Sequence, residues 1–510
     1  VRGADYVFLS ALLLFVQQVF ASSHHARRLV LSSAAFSLRA GLPARRIARP
    51  WFLGAAVAVR QSYFVLFLCF DSSWLIHAYA LPAPALSWHE YLVRLAVGPL
   101  SGLGLIVFTV GFWIAYGALF SYGGLIGTEP EMRHAGLGPM TGEQTIDTRI
   151  PFSVGVSSRA GRIRINGHRL PREGARAVIL LPGFTQNALI YDLFPGGASL
   201  AEYLWTRGFD VWMVHPRGTG ESGGRCEHAS LDDYAAADIP AIISFVARKV
   251  PAPPILVGHS QGGITSILSM MGAEFQDDGR IRLSDDAAAR RQGTLGGLVA
   301  IGAFPSFVYK DEAPLQRLVR RGVPVLGIEI PLGPLLRLVR PLPFLGVPVT
   351  ARLRRAMLSR SALRVLLYPL YAVLEIAGRL PLWEFLYHIP NVSVAARRQV
   401  LFATIDGTFT GILAQYYDAI HDSTMRSSDG TVDYSKEYGR LRLPISIISM
   451  ELDGFVDEPS MVELMFDGVS SKVKFNRYIP GEGHEDPFMI PSTFPLVFES
   501  IDKLCSPDGE

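Results

Sequence analysis

The chain is poor in charge and in cysteine. Only 18% of its 510 residues are Asp, Glu, Lys or Arg, against ~25% in ordinary soluble domains. Its three cysteines, Cys69, Cys226 and Cys505, stand far apart with no Cys-x-x-Cys pair. That excludes a thiolate zinc site and a disulfide scaffold. The formal net charge of +3 speaks against a nucleic-acid partner spread over the whole surface, so any basic region must be local. Low-complexity tracts and internal repeats are also missing. What the chain has instead is apolar material: 49% hydrophobic residues and a mean hydropathy of +0.27. A chain so composed is not disordered, and it is too apolar for a wholly water-soluble one.

The apolar excess is concentrated at the front. Residues 95–128 contain no Asp, Glu, Lys, Arg or His, and ~20 apolar residues suffice to cross a bilayer as a helix. Trp113, Tyr116 and Tyr122 are of the types enriched at membrane interfaces. Two weaker candidates precede this span: Tyr6–Ala21, which is short, and Trp51–Leu81, which carries Arg60 and Asp71. Between them lies a loop with Arg27, Arg28, Arg39, Arg45, Arg46 and Arg49, and no acid occurs from Tyr6 to Phe70. Such connectors stay on the cytoplasmic side. If all three segments cross, the chain after residue 128 is cytoplasmic. A signal or transit peptide over the first 50 residues is the competing account.

From about residue 140 the pattern changes. Two period-two stretches, Thr145–Val156 and Gly161–Gly167, read as paired strands. Short apolar runs bounded by Gly or Pro follow at Ala177–Leu181, Phe209–Val214, Pro254–Gly258, Leu295–Gly302, Ile445–Met450 and Val473–Ile479. Runs of this kind suit strands buried on both faces of a parallel sheet. Helical patterns lie between them, as in Leu231–Lys249, where Ala235, Ile239, Ile242, Ile243 and Val246 share one side. The alternation predicts an α/β fold, a mostly parallel sheet with helices on both faces.

The run Gly258-His259-Ser260-Gln261-Gly262 lies between a buried strand and an apolar helix. That is the setting of a nucleophile elbow. A serine on such a strained turn leaves no room for side chains two residues before and after it, hence Gly258 and Gly262. The helix beginning at Gln261 aims its N–H groups at a developing oxyanion. An acid and a histidine should follow, in that order. Strand Ile445–Met450 runs into Glu451-Leu-Asp453-Gly-Phe-Val-Asp457, and strand Val473–Ile479 runs into Pro480-Gly-Glu-Gly-His484. Ser260, Asp453 and His484 are therefore the candidate catalytic set, with Asp457 as the alternative acid. The loop Pro182-Gly183-Phe184-Thr185-Gln186 after an earlier strand should supply the second oxyanion donor. The N–H groups of Phe184 and Gln261 are the expected pair, ahead of Thr185 and Gln186.

These blocks, with Phe209–Ser222 and Asp238–Ile243, resemble the α/β-hydrolase superfamily, in detail its acid-lipase and neutral-lipid esterase branch. The resemblance covers residues 145–505. It implies an α/β-hydrolase fold with Ser260 as nucleophile, His484 as general base and then acid, and Asp453 as orienting carboxylate. It also implies no metal and no organic cofactor. One departure is Pro182-Gly183 where the family often has His-Gly. That variant is also seen in polyester synthase-like relatives, whose nucleophile is normally Cys.

Between the strand ending near Gly302 and the one at Ile445 the chain is far longer than a connection requires, which predicts a large helical cap over the site. From Ala313 to Val373 it carries Arg317, Arg320, Arg321, Arg337, Arg340, Arg352, Arg354, Arg355, Arg360 and Arg364 against one acid, Glu329. Leucines and prolines are interleaved. Such a segment is either a solvated basic face or a lid lying on lipid. The expected organisation is an N-terminal membrane region at 1–130, a hydrolase domain at 131–505 and a cap at 305–440. The expected protein is a membrane-bound, cytoplasm-facing serine esterase or lipase whose partners are membrane lipids and a hydrophobic ester. The alternatives are acyl transfer through the same residues, or a non-catalytic membrane scaffold with this fold.

Overall fold

In the computed structural model, the short apolar runs assemble into one eight-stranded sheet. The residues described are 149–505, except 160, 194–198, 225–227, 310–313, 326–327, 347–385, 389, 393–399, 401–403 and 458–460. The strands are β1 (Ile150–Ser158), β2 (Gly161–Leu170), β3 (Ala177–Leu181), β4 (Asp210–Val214), β5 (Ile255–His259), β6 (Gly297–Ile301), β7 (Ile445–Met450) and β8 (Lys474–Ile479). Their spatial order is β1-β2-β4-β3-β5-β6-β7-β8. β1 pairs antiparallel with β2, and β2 with β4. From β4 to β8 every pairing is parallel.

β3, β4, β5, β6 and β7 are buried at every residue, as continuous apolar runs in a parallel sheet require. The period of two divides their side chains between two cores. On one face Ile179, Leu256, Leu298 and Ile447 pack with Ile242, Ile264 and Ile267. These last three belong to α2 (Ile239–Ala247) and α3 (Gln261–Met270), which α4 (Asp285–Thr294) follows in the chain. On the other face Val178, Val257, Val299 and Ile448 pack with Leu200, Leu204, Val497 and Ile501. α1 (Leu200–Thr206) and α8 (Phe494–Cys505) supply that layer. Each such side chain contributes ~1.5–3 kcal/mol through removal from water.

The helix expected over Leu231–Lys249 is not uniform. A wider π turn occupies Tyr234–Asp238 directly before α2. Pro240 stands in the first turn of α2 and has no N–H to bond back to the preceding turn, so the wider turn absorbs the mismatch. Asp238, at the end of that turn, takes Arg217 in a buried ion pair at 2.6 Å. Two blocks of the sequence resemblance thus meet as a structural brace.

The described part of the cap combines helices with small strand pairs. It contains α5 (Pro314–Arg321), α6 (Leu332–Val339) and α7 (Thr410–Asp422). A small antiparallel pair, Val323–Val325 with Ile328–Ile330, separates the first two. A second pair joins Phe344–Gly346 to Gly407–Phe409. The prolines at 324, 331, 341 and 343 divide the leucine-rich sequence into short pieces, because a proline within a helix both lacks a donor and clashes with the preceding turn. Gln415 of α7 fastens the cap to the body: its Oε1 accepts from Leu231 N at 2.8 Å, and its Nε2 donates to Asp232 Oδ2 at 3.2 Å.

The membrane candidates Tyr6–Ala21, Trp51–Leu81 and Leu95–Thr128 lie outside the described residues, as do Arg352, Arg354, Arg355, Arg360 and Arg364 of the cap. Among the described residues, no helix is long and apolar enough to cross a membrane.

Candidate active site

β5 ends at His259, and the chain turns sharply into α3 through Ser260, at φ 48° and ψ −120°. This backbone conformation is costly for an L-residue with a side chain. The two glycines permit it by absence. A Cβ on Gly258 would lie 2.5 Å from Gly263 Cα, and one on Gly262 would lie 2.4 Å from the Leu181 carbonyl oxygen. Ser260 N–H donates to Ile301 O of β6 at 2.8 Å, which secures the turn against the next strand.

His484 and Asp453 come from the loops after β8 and β7. Those loops are laced together by Leu452 N–H to Glu482 O at 2.9 Å. His484 Nδ1 and Asp453 Oδ2 are 2.7 Å apart, with side chains 2% and 1% exposed. The other carboxylate oxygen of Asp453 accepts from Phe455 N and Val456 N at 2.8 and 3.1 Å. The acid is therefore held rigidly with both oxygens occupied. Burial pulls the imidazole of His484 down, but Asp453 outweighs it and leaves His484 above its ordinary value. It is thus Asp453, and not Asp457, whose carboxylate meets His484. Asp457 stands at the start of the next helical turn, where its carbonyl accepts from Met461 N at 2.9 Å.

Gln261 occupies the first position of α3, and Phe184 lies in the loop after β3. Neither backbone N–H has an acceptor among the described residues. The Phe184 loop is pinned from the cap side: Asp406 N–H donates to Thr185 O, and Asn187 N–H to Thr404 O, both at 2.8 Å. Thr185 has a positive φ of 64°, and its hydroxyl donates to Phe184 O at 2.6 Å. Gln186 sends its side chain to the carboxylate of Glu485.

His259 and Glu485 had no role assigned from sequence. His259 is only the variable residue of the elbow motif, and Glu485 simply follows the histidine. Both are buried beside His484. His259 Nε2–H donates to His484 O at 3.1 Å. Burial, and then the neighbouring His484, hold His259 well below the usual histidine range, so it stays neutral. Its ring lies 4.7 Å from that of His484 and 4.5 Å from that of Phe488, bracing the His484 loop. A ring nitrogen of each histidine and an oxygen of Glu485 lie within 4.8 Å of one another. Asp453 takes Nδ1 of His484, and the His484 carbonyl takes Nε2 of His259.

Ser260 and His484 open on a cavity of about 660 Å³, well within the range of small-molecule sites. Polar atoms gather at one end, from Thr185, Gln186, Ser260, His484 and Glu485. The rest of the wall is apolar and largely cap: Leu315, Leu318 and Val319 of α5, Leu332, Leu336 and Val339 of α6, and Leu413, Tyr416 and Ile420 of α7. Among the described residues, no Lys or Arg lines it.

Comparison with known proteins bears on the segment that carries the elbow. A family model described as alpha/beta hydrolase fold matches residues 176–269. No curated protein matches the chain. Similar solved structures include a malate-bound thermophilic esterase from Thermogutta terrifontis, at 15% identity and a TM-score of 0.39, covering 70% of this chain and 100% of that one. Another is a membrane phospholipase A described as a bacterial virulence factor, at 15% identity and a TM-score of 0.40, covering 82% and 99%. A third is a monoacylglycerol lipase from Paleococcus ferrophilus, at 18% identity and a TM-score of 0.36, covering 70% and 98%. The family match runs from β3 and its loop through the Ser260 turn into α3, the centre of the sheet order described above, and over that segment the chain is similar to the alpha/beta hydrolase fold family.

Proposed function

We propose that this chain is a serine hydrolase of carboxylic esters, acting on lipid esters at a membrane. The observation that carries the reading is the buried 2.7 Å contact between His484 and Asp453, with His484 and the strained Ser260 on the same cavity. In this mechanism Ser260 Oγ attacks the ester carbonyl while His484 Nε2 takes its proton. Asp453 holds the ring and favours the imidazolium. The N–H groups of Phe184 and Gln261 stabilise the oxyanion. The tetrahedral intermediate collapses by breaking the C–O bond, and His484 returns the proton to the leaving alcohol. Water, deprotonated by His484, then releases the acid from Ser260.

The apolar cap wall favours a long acyl chain over a small polar acid. α6 lines the cavity with Leu332, Leu336 and Val339 and exposes Arg337 and Leu338, the latter at 76%. Arg340 and Leu342 just beyond it are exposed as well. A basic, leucine-bearing rim of this kind suits the surface of an anionic bilayer. In the proposed organisation residues 1–130 anchor the chain through Leu95–Thr128, residues 131–505 form the hydrolase domain, and residues 305–440 are its cap.

Fluorophosphonate labelling of the intact protein, followed by esters of increasing chain length, tests the reading. Labelling is expected at Ser260, with activity rising toward long chains. Persistence of the label in Ser260→Ala would reject the nucleophile. Ester product formed from an added alcohol in place of free acid would reassign the chemistry to acyl transfer. Absence of both labelling and turnover would leave a scaffold with this fold.

A further inference from the structure

Among the described residues lining the cavity, Glu485 is the sole carboxylate, and the chemistry above leaves it unused. It is 3% exposed. Its backbone N–H donates to Leu386 O of the cap at 2.6 Å. One carboxylate oxygen takes the hydrogen bond of Gln186, while Oε2 is buried without a partner. Gln186 follows Phe184 in the loop that faces Ser260, so this hydrogen bond joins the oxyanion loop to the histidine loop. A buried carboxylate with one oxygen unsatisfied costs free energy. What the site gains is a crosslink between two loops and a negative charge near the imidazole.

We propose that Glu485 is a positioning residue: through Gln186 it holds the oxyanion loop against the His484 loop, and its charge steadies the imidazolium formed as Ser260 attacks. The proposal rests on the assignment of Ser260 and His484 above. The groups facing Glu485 are His484 and Asp486 on its own loop, His259 at the end of β5, Asp453 in the turn after β7, Tyr191 beneath, and Gln186. Burial lifts its carboxyl from 4.5 to about 7, with His484 pulling the other way. Glu485 and His484 lie side by side, so each ionisation is linked to the other. The working form needs Glu485 ionised and His484 neutral.

The test is the pH profile of kcat/KM for a soluble short-chain p-nitrophenyl ester, measured on the wild type, Glu485→Gln and Gln186→Ala. Gln at 485 keeps the size and the acceptor for Gln186 and removes the charge. The wild type is expected to show an acid limb steeper than a single ionisation. In Glu485→Gln that limb falls to one proton, kcat drops about tenfold, as for one pKa unit of imidazolium stabilisation, and KM changes little. Gln186→Ala should lower kcat and keep the steeper limb. Equal limbs in wild type and Glu485→Gln would overturn the proposal, even with a lower kcat, because packing alone would then account for the loss. A one-proton limb in the wild type overturns it even if no variant folds. Fluorophosphonate labelling alongside separates the two readings. A wild type labelled at Ser260 but with a one-proton limb removes only the role of Glu485. A wild type unlabelled at Ser260 removes both.

Discussion

At the residue scale the assignments separate by what each atom touches. Asp453 and Asp457 are four residues apart in one loop, and only hydrogen-bond geometry distinguishes them. Asp453→Asn is accordingly expected to slow ester hydrolysis far more than Asp457→Asn, measured as kcat/KM on a p-nitrophenyl ester. Ser260→Ala and His484→Ala should each cost ~10⁴-fold or more, because such residues act as a unit, with circular dichroism showing the fold retained. Glu485 yields a prediction for stability as well as rate. The folded chain keeps its carboxyl protonated up to about 7, against 4.5 ordinarily. Its contribution to stability is therefore full below about 4.5 and is lost as pH rises through about 7. Gln cannot ionise, so Glu485→Gln should melt higher than wild type at pH 8, by at most ~3 kcal/mol, and close to wild type at pH 5. A lower melting temperature at pH 8 would contradict a burial penalty on the carboxylate. A variant more stable and less active is what a strained functional group predicts.

At the scale of elements, the elbow and the cap behave differently. The β5–α3 turn was legible from sequence because its constraints are local: glycines at 258 and 262, an apolar run before, an apolar helix after. Gly262→Ala would push a methyl group to 2.4 Å from the Leu181 carbonyl oxygen. It is expected to destabilise the chain by ~3 kcal/mol and to abolish labelling of Ser260, read by thermal melting and fluorophosphonate gel. The cap was legible only as an insertion. Among its described residues, prolines at 324, 331, 341 and 343 separate α5, α6 and short strand pairs, and long-range pairing such as Phe344 with Phe409 has no local signal. The cap is also where chain-length preference belongs. Leu336→Trp, which fills part of the 660 Å³ cavity, should reduce turnover of long-chain esters and spare short ones; equal loss of both would place the indole in the path to Ser260. Arg337→Gln with Arg340→Gln should weaken binding to phosphatidylserine vesicles by ~2 kcal/mol at low salt, at ~1 kcal/mol per arginine near an anionic surface. That difference should fade as salt rises. Unchanged vesicle binding would make these arginines an ordinary solvated face.

At the scale of the whole molecule, the described residues belong to one compact unit built from residues 130–359 and 378–510. A chain starting near Arg133 is expected to leave the membrane fraction and keep its activity on soluble esters, whereas the full chain should resist a carbonate wash. Recovery of the full chain in the aqueous phase without detergent would reassign Leu95–Thr128 to a buried element. Sequence by itself determined the α/β class, the positions of all eight strands to within a few residues, the elbow, and the order of serine, acid and histidine. These follow from apolar runs, periodicity and glycine placement, which act over a few residues. Tertiary structure alone decided which aspartate meets His484, that Arg217 and Asp238 are a brace, and that His259 and Glu485 crowd the imidazole. Those facts depend on distances between residues far apart in the chain. A carboxylate's burial and partners, and hence its charge at neutral pH, exist only once β5, the Phe184 loop and the His484 loop have been brought together by the sheet.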